Sequence, residues 1–323
     1  MLRNGYLGSI VAAFALFGGA SQAVAFDTIE DGVLTVCLPR NAGVIAGRRL
    51  TGGSGFDYRL SEDLAARLSL TLNVIWFENE LEEESDPLRE TYAMLSYGLC
   101  DILPGHPRYV RAVGTPVFER ASLPRWLGMP QKIDPVTNLR QDQLAEFVDI
   151  KPITVSQGYM RSELGLVFRE GTPEPVDLFD LDNRVLSFQQ GTLSGAIVMT
   201  QAHSDDRARA QTMTPGARFL WDVEGKGGDL AIVDVTAFDN YLQSNPFTEF
   251  RLAEWRHPLG MDIGIAMLEG NTQLAAKIDA ALSALKSENI ITQMAEGEGL
   301  TYAPPTSIEL TPEYTMQTLL ATR

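Results

Sequence analysis

A glycine turn and an amphipathic helix set between two strand-like segments constrain the fold of this chain more than any other feature. Residues 34–37 (LTVC) and 72–76 (LNVIW) are short and mostly apolar, which predicts two strands. Between them, residues 55–68 place Leu60 and Leu64 on one helical face, while charged side chains occupy the opposite face. The sequence therefore predicts a strand-helix-strand unit whose helix packs on a sheet.

The N-terminus has the three parts of an export signal. Arg3 supplies a positive charge, residues 10–17 form a short apolar run, and residues 23–25 (AVA) provide a small-residue cleavage site. The run is too short to span a bilayer, and no later segment of the sequence is apolar enough to do so. We predict a signal peptide over residues 1–25 and a periplasmic mature protein with no membrane insertion. An uncleaved membrane anchor is the alternative.

Length and charge limit the possible partners. Removing 25 residues from 323 leaves 298, enough for two compact lobes of about 100–200 residues each. The chain has 42 acidic and 26 basic residues, and its formal net charge is −16. A chain this acidic repels nucleic acid and anionic lipid, so we expect neither as a partner.

Two motifs resemble those of type II periplasmic solute-binding proteins. Residues 55–68 are similar to the opening of that family, in which Gly-Phe-Asp precedes the first helix. Residues 98–105 are similar to its third strand, which carries a loop into the ligand cleft. The resemblance implies a two-lobed α/β fold, with doubly wound sheets joined by a two-strand hinge and a cleft between the lobes.

Three residues after the third strand are implied to bind the ligand. These are His106, Arg108 and Arg111. In family members that bind amino acids, an arginine in this region clamps the ligand carboxylate, and a guanidinium fork can bind either carboxylate or phosphate. The threonine that accompanies this arginine in those members is absent here, which argues against a standard α-amino acid.

Four further residues are implied by resemblance to the crossing strand and the second lobe. Tyr159 begins the crossing strand, and a role as a core tyrosine is its alternative. Gly191 and Thr192 precede a helix whose free amides favour an anion, although a plain strand-to-helix turn also explains them. Asp234 ends a strand and resembles the aspartate that pairs a ligand ammonium; capping the next helix is its competing role.

The resemblance also divides the chain into units. Residues 1–25 are the signal peptide, and residues 26–165 form the first part of lobe 1. That part contains an insertion at about 119–155 that is rich in charge and proline. Residues 166–259 form lobe 2, and residues 260–323 return to lobe 1 and end in a C-terminal tail.

The two cysteines are candidates for a disulfide. Cys37 lies near the end of the first predicted strand, and Cys100 lies at the start of the third. In a doubly wound sheet these strands are neighbours, and the periplasm is oxidising. We predict a Cys37–Cys100 disulfide, with two buried thiols as the alternative. Two cysteines without nearby histidines do not form a metal ligand set, so we expect no metal site and no cofactor.

The resemblance implies a receptor rather than an enzyme. Such a receptor captures a small polar, anionic or zwitterionic metabolite by closing its lobes, and delivers it to the permease of an ABC importer. The alternative is an accessory protein of a periplasmic quinoprotein (methanol or alcohol) dehydrogenase, because residues 36–37 and 99–109 are also similar to cysteine-bearing family members of that kind. A third interpretation is a dehydratase-like enzyme, but no nucleophile-base pair is visible in the sequence.

Overall fold

The computed structural model describes most of the chain beyond its N-terminus. The described residues are 27–78, 86–133, 135–136, 140–142, 147–178, 181, 184–202, 205, 209–213 and 218–322. The predicted signal peptide over residues 1–25 lies outside them. Within the described part, we find no helix that combines the length and the apolar character needed to cross a bilayer.

Strands and helices alternate along most of the chain. The strands are β1 Val33–Pro39, β2 Gly47–Arg49, β3 Gly52–Ser54, β4 Thr71–Phe77, β5 Ile102–Pro107, β6 Arg120–Ala121, β7 Gln131–Ile133, β8 Arg140–Asp142, β9 Val148–Asp149, β10 Ile153–Val155, β11 Met160–Arg169, β12 Leu186–Gln189, β13 Gln211–Met213, β14 Leu230–Asp234 and β15 Phe250–Leu268. The helices are α1 Phe56–Arg67, α2 Pro87–Tyr97, α3 Leu193–Gln201, α4 Phe219–Gly225, α5 Val235–Ser244, α6 Thr272–Ser287, α7 Ile290–Glu298 and α8 Met316–Ala321.

The predicted opening unit is present. β1 and β4 pair in parallel, with Val33 opposite Thr71, and α1 connects them. Gly55, immediately before α1, has a positive φ of 97°, and a Cβ there would approach the backbone of Ile45 and Ala46 to 2.7 Å. Only glycine at this position therefore allows the chain to begin α1 so close to the preceding loop.

The main sheet has nine strands in two parallel groups. Its order is β13-β12-β14-β11-β15-β5-β1-β4, with β10 also paired to β15. We call β1, β4 and β5 the first strand group and β12, β13 and β14 the second. Within each group the strands are parallel. The resemblance implied two sheets; the structure has one continuous sheet, because β11 and β15 hydrogen-bond to each other and to both groups.

The segments predicted to cross between lobes, residues 163–168 and 260–266, lie within β11 and β15. These two strands are antiparallel and pair from Met160 opposite Ile263 to Arg169 opposite Phe250. The register shifts twice near Gly165, as it does at a β-bulge. Their function as a hinge stays a prediction.

Helices cover both faces of each strand group, as a doubly wound fold requires. In β1, Leu34 and Val36 enter the core beneath α1, α6 and α7, whereas Cys37 enters the core beneath α2. In β14, Ile232 packs beneath α3 and Val233 packs beneath α4 and α5. Successive strand residues thus contribute to opposite cores. The fold class predicted from the sequence is confirmed.

The predicted disulfide is also confirmed. Cys37 and Cys100 are bonded, with their Cα atoms 5.6 Å apart. The proximity follows from the pairing of β1 with β5, in which Val36 lies opposite Ile102. Both cysteines are buried against α2 in a core that includes Tyr92.

The C-terminal tail, residues 303–322, contacts both strand groups. The amide of Thr311 donates to the carbonyl of Arg108 at 2.8 Å, beside the first group. Farther along, the side chain of Gln201 in α3 donates to the carbonyl of Leu319 at 2.6 Å, so α8 packs on the second group. The tail therefore forms a third connection between the groups, because Leu319 is buried in the core beneath α3.

Candidate functional site

Tyr159 is the centre of a buried hydrogen-bonded group. Its hydroxyl donates to Asp57 Oδ1 at 2.7 Å and accepts from the amide of Gly105 at 2.9 Å. The ring is fully buried, and burial raises the pKa of Asp57 from 3.8 to about 7. The group connects α1, the end of β5 and the start of β11, so it fixes the first strand group at the point where the chain crosses.

His106 is buried and faces the turn after β5. Its Nε2 donates to the carbonyl of Ala112 at 2.7 Å, which leaves Nδ1 unprotonated in the neutral ring. Nδ1 has no hydrogen-bond partner in the described part of the chain. Burial lowers the pKa of His106 to about 4, so the ring is neutral at pH 7.

Arg108 is bonded to the protein itself. It is 4% exposed, and its guanidinium donates to four backbone carbonyls, those of Ser156, Ser307, Ile308 and Glu309, at 2.9–3.4 Å. Three of these four carbonyls belong to the C-terminal tail. The contacts explain why an arginine occupies this position without any ligand, because five donors in a rigid fork suit several carbonyls at once.

Arg111 lies in a short 3-10 turn, Val110–Ala112, and its side chain is 73% exposed. It forms an ion pair with Glu313 of the tail at 2.8 Å. The two arginines that the sequence placed together therefore diverge: Arg108 is buried beneath the tail, and Arg111 is at the surface.

Gly191 and Thr192 form the turn between β12 and α3. Gly191 has a positive φ of 74°, and Thr192 caps α3 by accepting from the amide of Gly195 at 3.3 Å. The Thr192 hydroxyl also donates to the carbonyl of Gln189 at 2.8 Å. The local geometry is that of a strand-to-helix turn, and a ligand role for these residues stays a prediction.

Asp234 caps α5. One carboxylate oxygen accepts from the amide of Thr236 at 2.8 Å, and the other accepts from the hydroxyl of Ser162 in β11. Burial raises the pKa of Asp234, while these hydrogen bonds oppose the shift. Both oxygens thus have partners within the protein, so a ligand ammonium would have to compete with them.

A pocket of about 200 Å³ lies between the two strand groups. We call it the cleft pocket. It is lined by Asn41, Gly43, Gln189, Phe219, Leu220, Trp221, Ala237, Asn240, Tyr241 and Ser244.

Residues from both strand groups line the cleft pocket. Asn41 and Gly43 come from the loop after β1, whereas Gln189 ends β12 and Asn240 lies in α5. The two sides touch, since the amide of Val44 donates to Asn240 Oδ1 at 2.7 Å. Strand ends in open α/β sheets are where ligands bind, and this pocket is lined by residues from both sets of ends.

Amides and aromatic rings dominate the lining of the cleft pocket. The amide side chains are Asn41, Gln189 and Asn240, and the rings of Trp221 and Tyr241 meet edge to face with centroids 5.1 Å apart. Among the residues that the structure describes, no charged side chain lines it. This chemistry suits a small solute that presents both hydrogen-bonding groups and an apolar face.

Comparison with known proteins identifies solved structures that share this fold. No family model matches the sequence, and no curated protein matches it. Among solved structures, the open, unliganded L-cystine solute receptor of Neisseria gonorrhoeae has a TM-score of 0.54 at 17% identity, over 83% of this chain and 93% of that chain. A histidine kinase sensor domain with similarity to periplasmic binding proteins has a TM-score of 0.53 at 14% identity, over 84% and 98%. An ancestral amino-acid-binding protein, a precursor of cyclohexadienyl dehydratase, has a TM-score of 0.51 at 15% identity, over 83% and 96%.

The chain has the type II periplasmic-binding-protein fold. At these identities the likeness establishes the fold alone.

In this periplasmic-binding-protein fold, none of the residues that line the cleft pocket is among those that the resemblance implied to bind a ligand. Asn41 follows the first predicted strand closely, and Gln189 follows the predicted strand at 184–188, so strand ends were the available signal. No signal in the sequence marks Trp221 and Asn240 as pocket residues, because their helices meet the loop after β1 only through tertiary folding.

The described residues contain no group of three or more histidine, cysteine, aspartate or glutamate side chains that could hold a metal ion.

Proposed function

We propose that this chain is a solute-binding receptor that captures a small polar solute in the cleft pocket. The observation that carries the proposal is the composition of that pocket, which takes residues from both strand groups. Two strands, β11 and β15, cross between the groups. A solute that contacts both sides stabilises the arrangement in which they meet, and only such differential contacts can shift the equilibrium.

The sequence suggested an anionic or zwitterionic solute. The charged side chains behind that prediction are bonded within the protein: Arg108 to backbone carbonyls, Arg111 to Glu313, and Asp234 to Ser162 and Thr236. Amides and aromatic rings line the cleft pocket instead. We therefore favour an uncharged polar solute, and a zwitterion is the competing class.

Export and delivery complete the proposal. The N-terminal segment has the parts of a signal peptide, which supports a periplasmic location for the mature chain. A periplasmic receptor for a small solute requires an inner-membrane permease to complete import, so we propose an ABC importer as the partner.

A second proposal has its own support. Within the predicted insertion at about 119–155, the β6–β9 pair packs beside α2, and Phe147, immediately before β9, is 63% exposed. Its neighbour Val148 packs on the core that contains the disulfide, so Phe147 is an exposed aromatic held beside that core, which fits a docking role for a quinoprotein dehydrogenase. Co-purification of tagged protein from periplasm, with Phe147→Ser as the variant, tests this. If the wild type and Phe147→Ser recover equal amounts of the dehydrogenase, Phe147 has no docking role.

The receptor proposal is tested by thermal shift followed by calorimetry. The panel should contain the standard amino acids, their amides, simple sugars and sugar alcohols. A ligand at a hundredfold excess over its Kd adds about 2.7 kcal/mol of stability. We expect an uncharged solute to bind, and Trp221→Ala or Asn240→Ala to weaken it at least about tenfold. Gln243→Ala is the matched control, because Gln243 is exposed on α5 and does not line the pocket. Equal binding by all four proteins would contradict the site.

A further inference from the structure

A second pocket lies behind the crossing strands, against the C-terminal tail. Its volume is about 530 Å³, within the range of about 300–1,000 Å³ usual for small-molecule sites. We call it the tail pocket. Its walls are the turn at 157–158, Lys286 of α6, the start of α7 at 291–292, Tyr302, and tail residues 304–308. It shares no residue with the cleft pocket.

Lys286 gives the tail pocket a positive charge. Its ammonium donates to Gln157 Oε1 at 2.5 Å and makes no ion pair with any residue in the described ranges. Burial lowers the pKa of Lys286, and the positive charge of Arg108 lowers it further. Lys286 is thus the cation among the described lining residues, and Arg108 adds a second positive charge nearby, in a chain whose net charge is −16.

The carboxylates nearest to these cations are already bonded. Asp262 accepts from the amides of Thr306 and Ser307 and from Arg161. Asp279 accepts from the amide of Gln157 at 2.7 Å. Both carboxylates are therefore held by other donors and do not pair with Lys286. An anion in the pocket would supply the ion pair that Lys286 lacks.

Half of the other lining residues are apolar, and the other half are Gly158 and the polar residues Gln157, Thr292, Thr306 and Ser307. The apolar residues are Ile291, Tyr302, Pro304, Pro305 and Ile308. Ile308 is 89% exposed, so the pocket rim presents an uncovered aliphatic side chain. The pocket thus combines one cationic side chain with an aliphatic and proline surface.

We propose that the tail pocket binds a small amphiphilic carboxylate, with its carboxylate on Lys286 Nζ and its apolar part against the tail prolines and Ile291. The site does not depend on the cleft pocket, because the two have no lining residue in common. A carboxylate here contacts the tail, which also packs on α3 through α8.

The test uses phenylacetate and its uncharged analogue phenylacetamide, titrated into the full mature protein by calorimetry. We expect phenylacetate to bind at least about tenfold more tightly than phenylacetamide, since only the acid can form the ion pair. Lys286→Met should remove that preference. Lys277→Met is the matched control, because Lys277 is exposed on the same helix, and it should bind phenylacetate as the wild type does.

A second variant tests the site if Lys286→Met fails to fold. Thr292→Phe fills the pocket without removing the charge, and it should abolish the binding of phenylacetate and phenylacetamide alike. Trp221→Ala, in the cleft pocket, should leave phenylacetate binding unchanged. The proposal is overturned if neither probe binds up to about 10 mM, if acid and amide bind equally, or if Trp221→Ala rather than Lys286→Met abolishes binding.

Discussion

The backbone amide of Val44 donates to Asn240 Oδ1 at 2.7 Å, although 196 positions separate the two residues. The bond joins the loop after β1 to α5 and so connects the two strand groups at the cleft pocket. Gly43, next to Val44, has a positive φ of 59° and faces the Asn240 side chain so closely that a Cβ would overlap it.

Gly43→Ala should therefore keep the two sides of the cleft pocket apart. We expect a larger radius of gyration by small-angle scattering and a loss of solute affinity of at least about tenfold. Gly32→Ala is the control: Gly32 also has a positive φ, of 77°, but a Cβ there meets nothing within 4 Å. The control carries the same backbone strain without the overlap. If the two variants have equal radii of gyration and equal solute affinities, the close approach of Gly43 to Asn240 does not control the cleft pocket.

Asp57 should make stability depend on pH. Its folded-state pKa is raised from 3.8 to about 7, so the folded protein retains this proton when the unfolded chain has lost it. The stability it contributes is complete below about pH 4 and is lost as the pH rises through about 7, up to about 4 kcal/mol. Asp57→Asn should flatten the dependence of unfolding free energy on pH in that window. Asp31→Asn, at an exposed site, should not. Parallel pH curves for wild type and Asp57→Asn would refute the assignment.

The disulfide should stabilise the first strand group. Cys37 and Cys100 are 63 positions apart, and a loop of that size gives about 4 kcal/mol in the chain-entropy model. The double variant Cys37→Ser, Cys100→Ser should unfold at a lower denaturant concentration than the oxidised wild type. Reduction of the wild type should reproduce most of that loss, whereas reducing agent should leave the double variant unchanged.

Arg108→Met should release the C-terminal tail rather than abolish solute binding. Four backbone carbonyls lose their donor. A buried acceptor without a partner, as at Ser156, costs about 1–3 kcal/mol, whereas the carbonyls of the exposed residues 307–309 can turn to water and cost less. We expect a loss of stability and faster proteolysis within residues 303–322. Arg111→Met removes only an exposed ion pair and should change stability by less than about 1 kcal/mol. Loss of solute binding in Arg108→Met at full stability would restore the ligand role that the sequence suggested.

The contrast between Gly55 and Arg108 shows what the sequence could predict. Gly55 starts α1 through a local turn, and the apolar face of α1 repeats within twelve residues, so neighbouring positions suffice to identify the unit. Cys37 and Cys100 were predictable because the doubly wound order makes their strands neighbours. The bonds of Arg108 join it to carbonyls about 200 positions away, and no local pattern records them. The same holds for Trp221 and Asn240, which reach the cleft pocket through tertiary packing.

Small-angle scattering with and without the solute that gives the largest thermal shift is the decisive test of capture between the two strand groups. We expect a smaller radius of gyration on binding in the wild type, and no change for Trp221→Ala at the same solute concentration, because that variant has lost an aromatic wall of the cleft pocket. A solute that binds wild type and Trp221→Ala with equal affinity and leaves the radius of gyration of both unchanged would contradict capture between the two strand groups.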